Sequence, residues 1–251
     1  MPYSDDRLFF TDAGSGQAVV MIHGWTCDGS DWAWLESALR ADHRTIVPDL
    51  RGHGRSAEQD GYLPQHFAAD IAGLLTGLGV SDALGGIIAS VLAVAHPSLV
   101  QRLVLVDPAY GADPDVVGPM LPAVTAVPHK IALASLRAFY GEATPSWLPV
   151  WHARRAVGTP EAVVRDTFFG MYSPDGLGIR SVGEPYLRQR SQPMLVVYSG
   201  RNAEQAVWER SLNAATTVDV WDGYGHFLFQ EAPATFAARV KEWLTAGAEL
   251  A

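Results

Sequence analysis

The chain has 251 residues, of which 48% are hydrophobic and 18% charged, with a formal net charge of −9, enough apolar sequence for one large α/β domain or a domain carrying an insertion. The acidic balance and the lack of any Lys/Arg run argue against a nucleic-acid partner, and no stretch of about 18 uninterrupted apolar residues suggests a membrane span. A single cysteine, Cys27, excludes an intrachain disulfide, and the eight histidines show no metal-ligand spacing, so no metal or other cofactor is expected.

The amino-terminal "MPYSDDRLFF" has no basic segment followed by a long apolar run, which fits a cytoplasmic protein. "LFFTDAGSG" reads as a strand entering a Gly/Ser turn, and "AVVMIHG" (18–24) as a strand buried on both faces. "WAWLESALR" has helical spacing, and "RTIVPDL" (44–50) is a short buried strand that ends in the Gly-rich turn "RGHGRS". Phe67, Ile71, Leu74, Leu75 and Leu78 fall at helical intervals, and "GGIIASVLAVAHP" is a second helix closed by Pro97. Then follow strand "RLVLVDP", a long middle region, strand "PMLVVYSG", helix "AEQAVWERSL", strand "TTVDVWDG" and a terminal helix. Strands alternating with helices predict a mostly parallel sheet covered on both faces. Residues 112–190 break the rhythm with many prolines and with Trp147 and Trp151. They are expected to form a helical cap over a core made of 1–111 and 191–251.

Three local patterns coincide with this order: "HGW" after the first buried strand, "DLRGHGRS" after the second, and "DGYGHFLFQEAP" between the last strand and last helix. Together they resemble the α/β-hydrolase superfamily, over nearly the whole chain outside the cap. The resemblance implies that His226 is a general base, its type of side chain titrating near neutrality, and that Trp25 gives its backbone N–H to an oxyanion. Gly24, lacking a side chain, would let the backbone approach a ligand. His23 and His53 belong to turn-shaping motifs. The superfamily's usual acid, at G-x-x-Asp after "LVVYSG", would fall on position 203, which is Ala203. Asp107, leaving the preceding strand, and Glu204 compete for the part, with Asp107 favoured because it leaves a strand directly into the expected crevice.

The nucleophile is harder to place. The superfamily carries it in G-x-S-x-G on a strained turn between strand and helix, yet "GVSDALGGIIAS" (79–90) leaves almost no residues for strand or turn. Ser81, in a formal small-x-Ser-x-small pattern, is one candidate, although it would shorten the preceding helix. Loss of the strand is a second explanation, opposed by the cost of unsatisfied backbone groups. The favoured one is that about seven residues are absent between Leu84 and Gly85, which predicts a Cα–Cα spacing there above the ~3.8 Å of a trans peptide.

What the resemblance implies is hydrolysis of a small, apolar ester, lactone or related carbonyl substrate by a Ser-His-Asp mechanism, with Trp147 and Trp151 walling the pocket. "HGW" with an aspartate before the cap also resembles the cofactor-independent heteroaromatic-ring dioxygenases, in which a His–Asp pair deprotonates the substrate. A non-catalytic ligand-binding relative is the third alternative. The expected partner is a small molecule. Oligomeric state is left open, a homodimer included.

Overall fold

A computed structural model of the protein describes residues 8–78 and 82–248. Seven strands form one sheet in the order β1-β3-β2-β4-β5-β6-β7: β1 (Phe10–Ala13), β2 (Ala18–Met21), β3 (Arg44–Pro48), β4 (Asp82–Gly85), β5 (Arg102–Val106), β6 (Met194–Ser199) and β7 (Thr216–Trp221). Only the β1–β3 pairing is antiparallel.

The inner strands are buried on both faces, and their side chains alternate between two cores. Val20, Ala83, Leu103, Leu105 and Val196 join one core, with Phe67, Ile71, Leu75, Val91 and Leu92 from α2 (Pro64–Leu78) and α3 (Ile87–Ala95). Val19, Met21, Leu84, Val104 and Val197 join the other, with Leu35, Leu39, Phe236, Val240 and Leu244 from α1 (Ala33–Leu39) and α12 (Pro233–Ala248). This period of two is the reason near-continuous apolar runs mark parallel strands. Six helices lie between β5 and β6: α4 (Pro114–Val117), α5 (Met120–Ala126), α6 (Pro128–Phe139), α7 (Leu148–Gly158), α8 (Glu161–Tyr172) and α9 (Arg180–Leu187). Helix α10 (Ala203–Leu212) follows β6, and the short α11 (Leu228–Glu231) precedes α12. Among the described residues no helix is long and apolar enough to cross a membrane.

The segment after α2 corrects the sequence reading. Leu84 and Gly85 are consecutive residues of β4, opposite Val104 and Leu105 of β5, and the Leu84 carbonyl accepts the Ile22 N–H at 2.7 Å. The expected break between them is absent, and the strand is shortened, not lost. "DALG" forms a strand in which the one polar residue, Asp82, is paired across the sheet. Asp82 sits directly opposite Arg102 and accepts from its Nη2 at 2.9 Å and Nε at 3.2 Å. Arg102 Nη1 in turn donates to the Leu244 carbonyl at 2.5 Å. The pairing offsets part of the cost of burying that carboxylate, and burial still raises the Asp82 pKa above its ordinary value.

Candidate active site

The turn after β3 is built on Asp49, whose carboxylate accepts the backbone N–H groups of Gly29 and Arg55, each at 2.8 Å. At Gly54 (φ +54°) a side chain would lie 2.4 Å from Asp49 Oδ2, so glycine is required there. His23 links this turn to the one after β2. Its Nε2 accepts the Leu50 N–H at 2.9 Å, which leaves Nδ1 protonated to donate to the Gly24 carbonyl, also at 2.9 Å. Burial keeps the His23 ring below its usual pKa, in keeping with that neutral tautomer.

The Gly24 carbonyl also accepts the Cys27 N–H at 3.2 Å. With no cis peptide among the described residues, the Trp25 N–H of the same peptide plane points the opposite way. The Trp25 ring is anchored elsewhere, donating from Nε1 to the Val164 carbonyl of α8 at 2.9 Å and packing on Phe168 at 5.3 Å.

His226 lies in the loop between β7 and α11. Its N–H donates to the Phe139 carbonyl at the end of α6 at 2.7 Å, and the Phe139 ring lies 4.7 Å from the imidazole. The preceding Gly225 N–H donates to Glu231 Oε2 at 2.6 Å. Glu231 Oε1 takes the Thr144 hydroxyl, whose oxygen accepts the Gly141 N–H at 2.9 Å. The histidine loop is thus stapled to the inserted helices.

His226 Nδ1 meets Asp107 Oδ2 at 2.8 Å. Asp107 is 1% exposed and adopts φ +39°, a conformation that aspartate tolerates better than most side chains. Its Oδ1 accepts the Ser199 N–H at 2.8 Å, and Asn202 Nδ2 stands 3.0 Å from both oxygens. Burial works to raise the Asp107 pKa, but the hydrogen bond and charge attraction of His226, together with the hydrogen bonds from Asn202 and Ser199, outweigh it and hold the carboxyl below its ordinary value. The pair is a carboxylate and an Nδ1-protonated imidazole, and His226 Nε2 has no hydrogen-bond partner among the described residues. Glu204, the competing acid, is exposed on α10.

A cavity of about 390 Å³ lies over the carboxyl ends of β2, β4 and β5. Gly24, Trp25, Gly86, Ile87, Asp107 and His226 line its floor, and Leu136, Phe139, Phe168 and Met171 from the inserted helices cover it. Cys27 also reaches it, but burial pushes its thiol pKa up and keeps it protonated. At the β4–α3 turn a Cβ added to Gly85 would lie 3.0 Å from Ile22, whereas one added to Gly86 would meet nothing within 4 Å. Leu84, Gly85, Gly86 and Ile87 bring no hydroxyl, thiol or carboxylate to this turn.

Ser81 lies outside the described residues. Its neighbour Asp82 opens β4 at the amino edge of the sheet, three residues before Gly85, a span of about 10 Å along a strand. The cavity is at the opposite edge.

Trp147 and Trp151 do not line the cavity, which corrects the expectation that they wall it. They pack with Trp34 at 5.6 and 5.5 Å in an aromatic cluster where Trp34 is 37% and Trp147 46% exposed. Three large rings at α1 and the start of α7 satisfy one another there. Sequence reasoning missed Asn202, although it adjoins the searched position 203, and Phe139, which no motif marks.

The sequence pattern of the alpha/beta hydrolase family matches residues 19–239, and the chain belongs to that family. A non-heme haloperoxidase of Rhodococcus erythropolis is 34% identical over 109 residues, 40% of this chain and 40% of that protein. A soluble epoxide hydrolase of Corynebacterium sp. is 28% identical over 148 residues, 56% of this chain and 49% of that protein. The chain thus spans half or less of the length of these relatives. Among solved structures, an esterase from Exiguobacterium antarcticum superposes with a TM-score of 0.84 at 21% identity, over 95% of both chains. At that identity the likeness is one of fold.

Proposed function

We propose that this protein hydrolyses a small, largely apolar ester or lactone, with His226 as general base, Asp107 as its orienting partner and water as the nucleophile. The observation that carries the proposal is the 2.8 Å contact between His226 Nδ1 and Asp107, placed in one cavity with Trp25 and the amino end of α3. The Nδ1–H held by Asp107 leaves Nε2 as the proton acceptor, and the β4–α3 turn supplies no side-chain nucleophile. His226 Nε2 takes a proton from water as the hydroxide oxygen bonds to the substrate carbonyl carbon. The backbone N–H groups of Trp25 and Ile87 receive the oxyanion, reinforced by the first-turn N–H groups of α3. Collapse breaks the bond to the leaving oxygen, which takes the proton back from Nε2. The apolar roof favours an apolar acyl or ring portion.

Membership of the alpha/beta hydrolase family and the fold shared with the Exiguobacterium esterase support hydrolysis over other uses of the dyad. The test is turnover of short-chain p-nitrophenyl esters and small lactones by wild-type protein and His226→Gln. A loss of about 10³-fold or more in the variant is expected, and equal rates would overturn the proposal. A second reading, deprotonation of a hydroxylated heteroaromatic ring that then reacts with oxygen, is favoured by the lack of a hydroxyl at the turn. It predicts oxygen consumption with a hydroxyquinolone and no ester turnover.

A further inference from the structure

We propose that Asn202 is a positioning residue that sets the orientation and proton affinity of the dyad, through its amide on both oxygens of Asp107. The inference rests on the dyad being the base of the proposed reaction. The loop after β6 has Ala203 where the resemblance would place a carboxylate, and the acid has moved to Asp107 at the end of β5. The loop has not dropped out of the site, because Asn202 reaches back from it. Its Nδ2 lies 3.0 Å from Oδ1 and 3.0 Å from Oδ2, while Ser199 N–H and His226 Nδ1 occupy the remaining acceptor directions at 2.8 Å each. Asp107 thus receives donors from β6, from the loop after it and from the histidine loop, which fixes a side chain whose backbone is already in the left-handed region. Asn202 is half-buried and lines a second cavity of about 420 Å³ that meets the first at Asp107, Phe139 and His226.

The chemistry follows from what an amide donor does to a carboxylate. Each N–H it gives stabilises the anion and lowers its basicity, so the Asp107 hold on the imidazolium is weaker than that of a bare carboxylate. Removing the donor makes Asp107 more basic and favours the protonated histidine.

Other ionisable groups around the pair leave that signal readable. Burial pushes His152 of α7 down to about 4 and Tyr172 of α8 up to about 12, and it raises Tyr198 of β6 well above the usual tyrosine value. Glu231 of α11 is held by Gly225 and Thr144, and Arg201, beside Asn202, donates from Nη1 to the Ala138 and Tyr140 carbonyls.

The test uses Asn202→Ala and Asn202→Ser in the full chain, with thermal melting to establish folding. The readouts are the His226 ring-proton titration by NMR and, with an ester substrate, the pH profile of kcat. The His226 midpoint is expected to move to higher pH in both. In Asn202→Ala, kcat is expected to fall about tenfold with KM within about twofold. An unmoved or lowered midpoint in folded Asn202→Ala or Asn202→Ser would overturn the proposal. The NMR titration needs no substrate, so a wild-type protein that cleaves no ester would count against the proposed reaction and leave this test standing.

Discussion

Replacing Asp107 with asparagine keeps the shape of the side chain and exchanges one oxygen for an amide nitrogen, and the surrounding donors dictate where that nitrogen goes. The Ser199 N–H at 2.8 Å requires an acceptor at Oδ1, so the amide oxygen takes that place and the NH2 takes the place of Oδ2. There it faces His226 Nδ1 at 2.8 Å and Asn202 Nδ2 at 3.0 Å. Two consequences follow. Asn202 Nδ2 keeps the amide oxygen as acceptor at the Oδ1 place, 3.0 Å away, but one N–H of the new amide is left facing it, and His226 must accept at Nδ1, which moves its proton to Nε2 and removes the base from the cavity. The wrong tautomer in a histidine–aspartate pair lowers turnover by about 10⁴-fold, or about 5 kcal/mol of transition-state stabilisation. Fold stability falls by about 1–3 kcal/mol for the unsatisfied buried donor. Ester turnover by Asp107→Asn measures the first effect, denaturant unfolding the second, and nitrogen-15 shifts of His226 report the tautomer. Activity within a few fold of wild type, or an imidazole still protonated at Nδ1, would refute this chain of reasoning.

Acid should destabilise the fold through its buried neutral histidines. Burial lowers His53 to about 3 and His152 to about 4, while in the unfolded chain both titrate near 6.5. Between those values the unfolded state binds more protons, so the stability these groups contribute is fully present above about pH 6.5 and is lost as pH falls. At pH 5 the two together should cost about 4 kcal/mol, at about 1.4 kcal/mol per pH unit each. Urea unfolding at pH 7 and pH 5 checks this, and equal midpoints would contradict it. Phe139→Ala removes the ring 4.7 Å from His226 and should lower kcat about tenfold, whereas Trp147→Ala, outside the cavity, should leave kcat and KM within about twofold. Steady-state kinetics of the two variants would reverse the assignment of the cavity wall if Trp147→Ala proved the more damaging.

Most of the fold is legible because burial on both faces leaves long apolar runs, as in Val19–Ile22 and Met194–Tyr198. β4 escapes that logic. Asp82 looks like a loop residue until Arg102 stands opposite it on β5, and such a cross-strand partner cannot be read from spacing along the chain. The same limit applies to the site. His226 and Asp107 lie at recognisable strand ends, so their meeting follows from sheet order. Asn202 touches Asp107 across 95 residues of sequence, and its neighbours 203 and 204 drew the search for an acid. Trp147 and Trp151 have the composition of a pocket wall, but only the position of Trp34 shows which side of the helices they cover.

Whether the protein itself supplies a nucleophile decides the mechanism. Protein turning over an ester should be exposed to a reactive phosphonate ester, and its intact mass and remaining activity then measured. Attack by water on the His226–Asp107 base predicts an unmodified chain of 27.1 kDa that keeps its activity. A stoichiometric adduct on a serine, Ser81 or Ser135 of α6 at the cavity wall for instance, with activity lost in step, would contradict it.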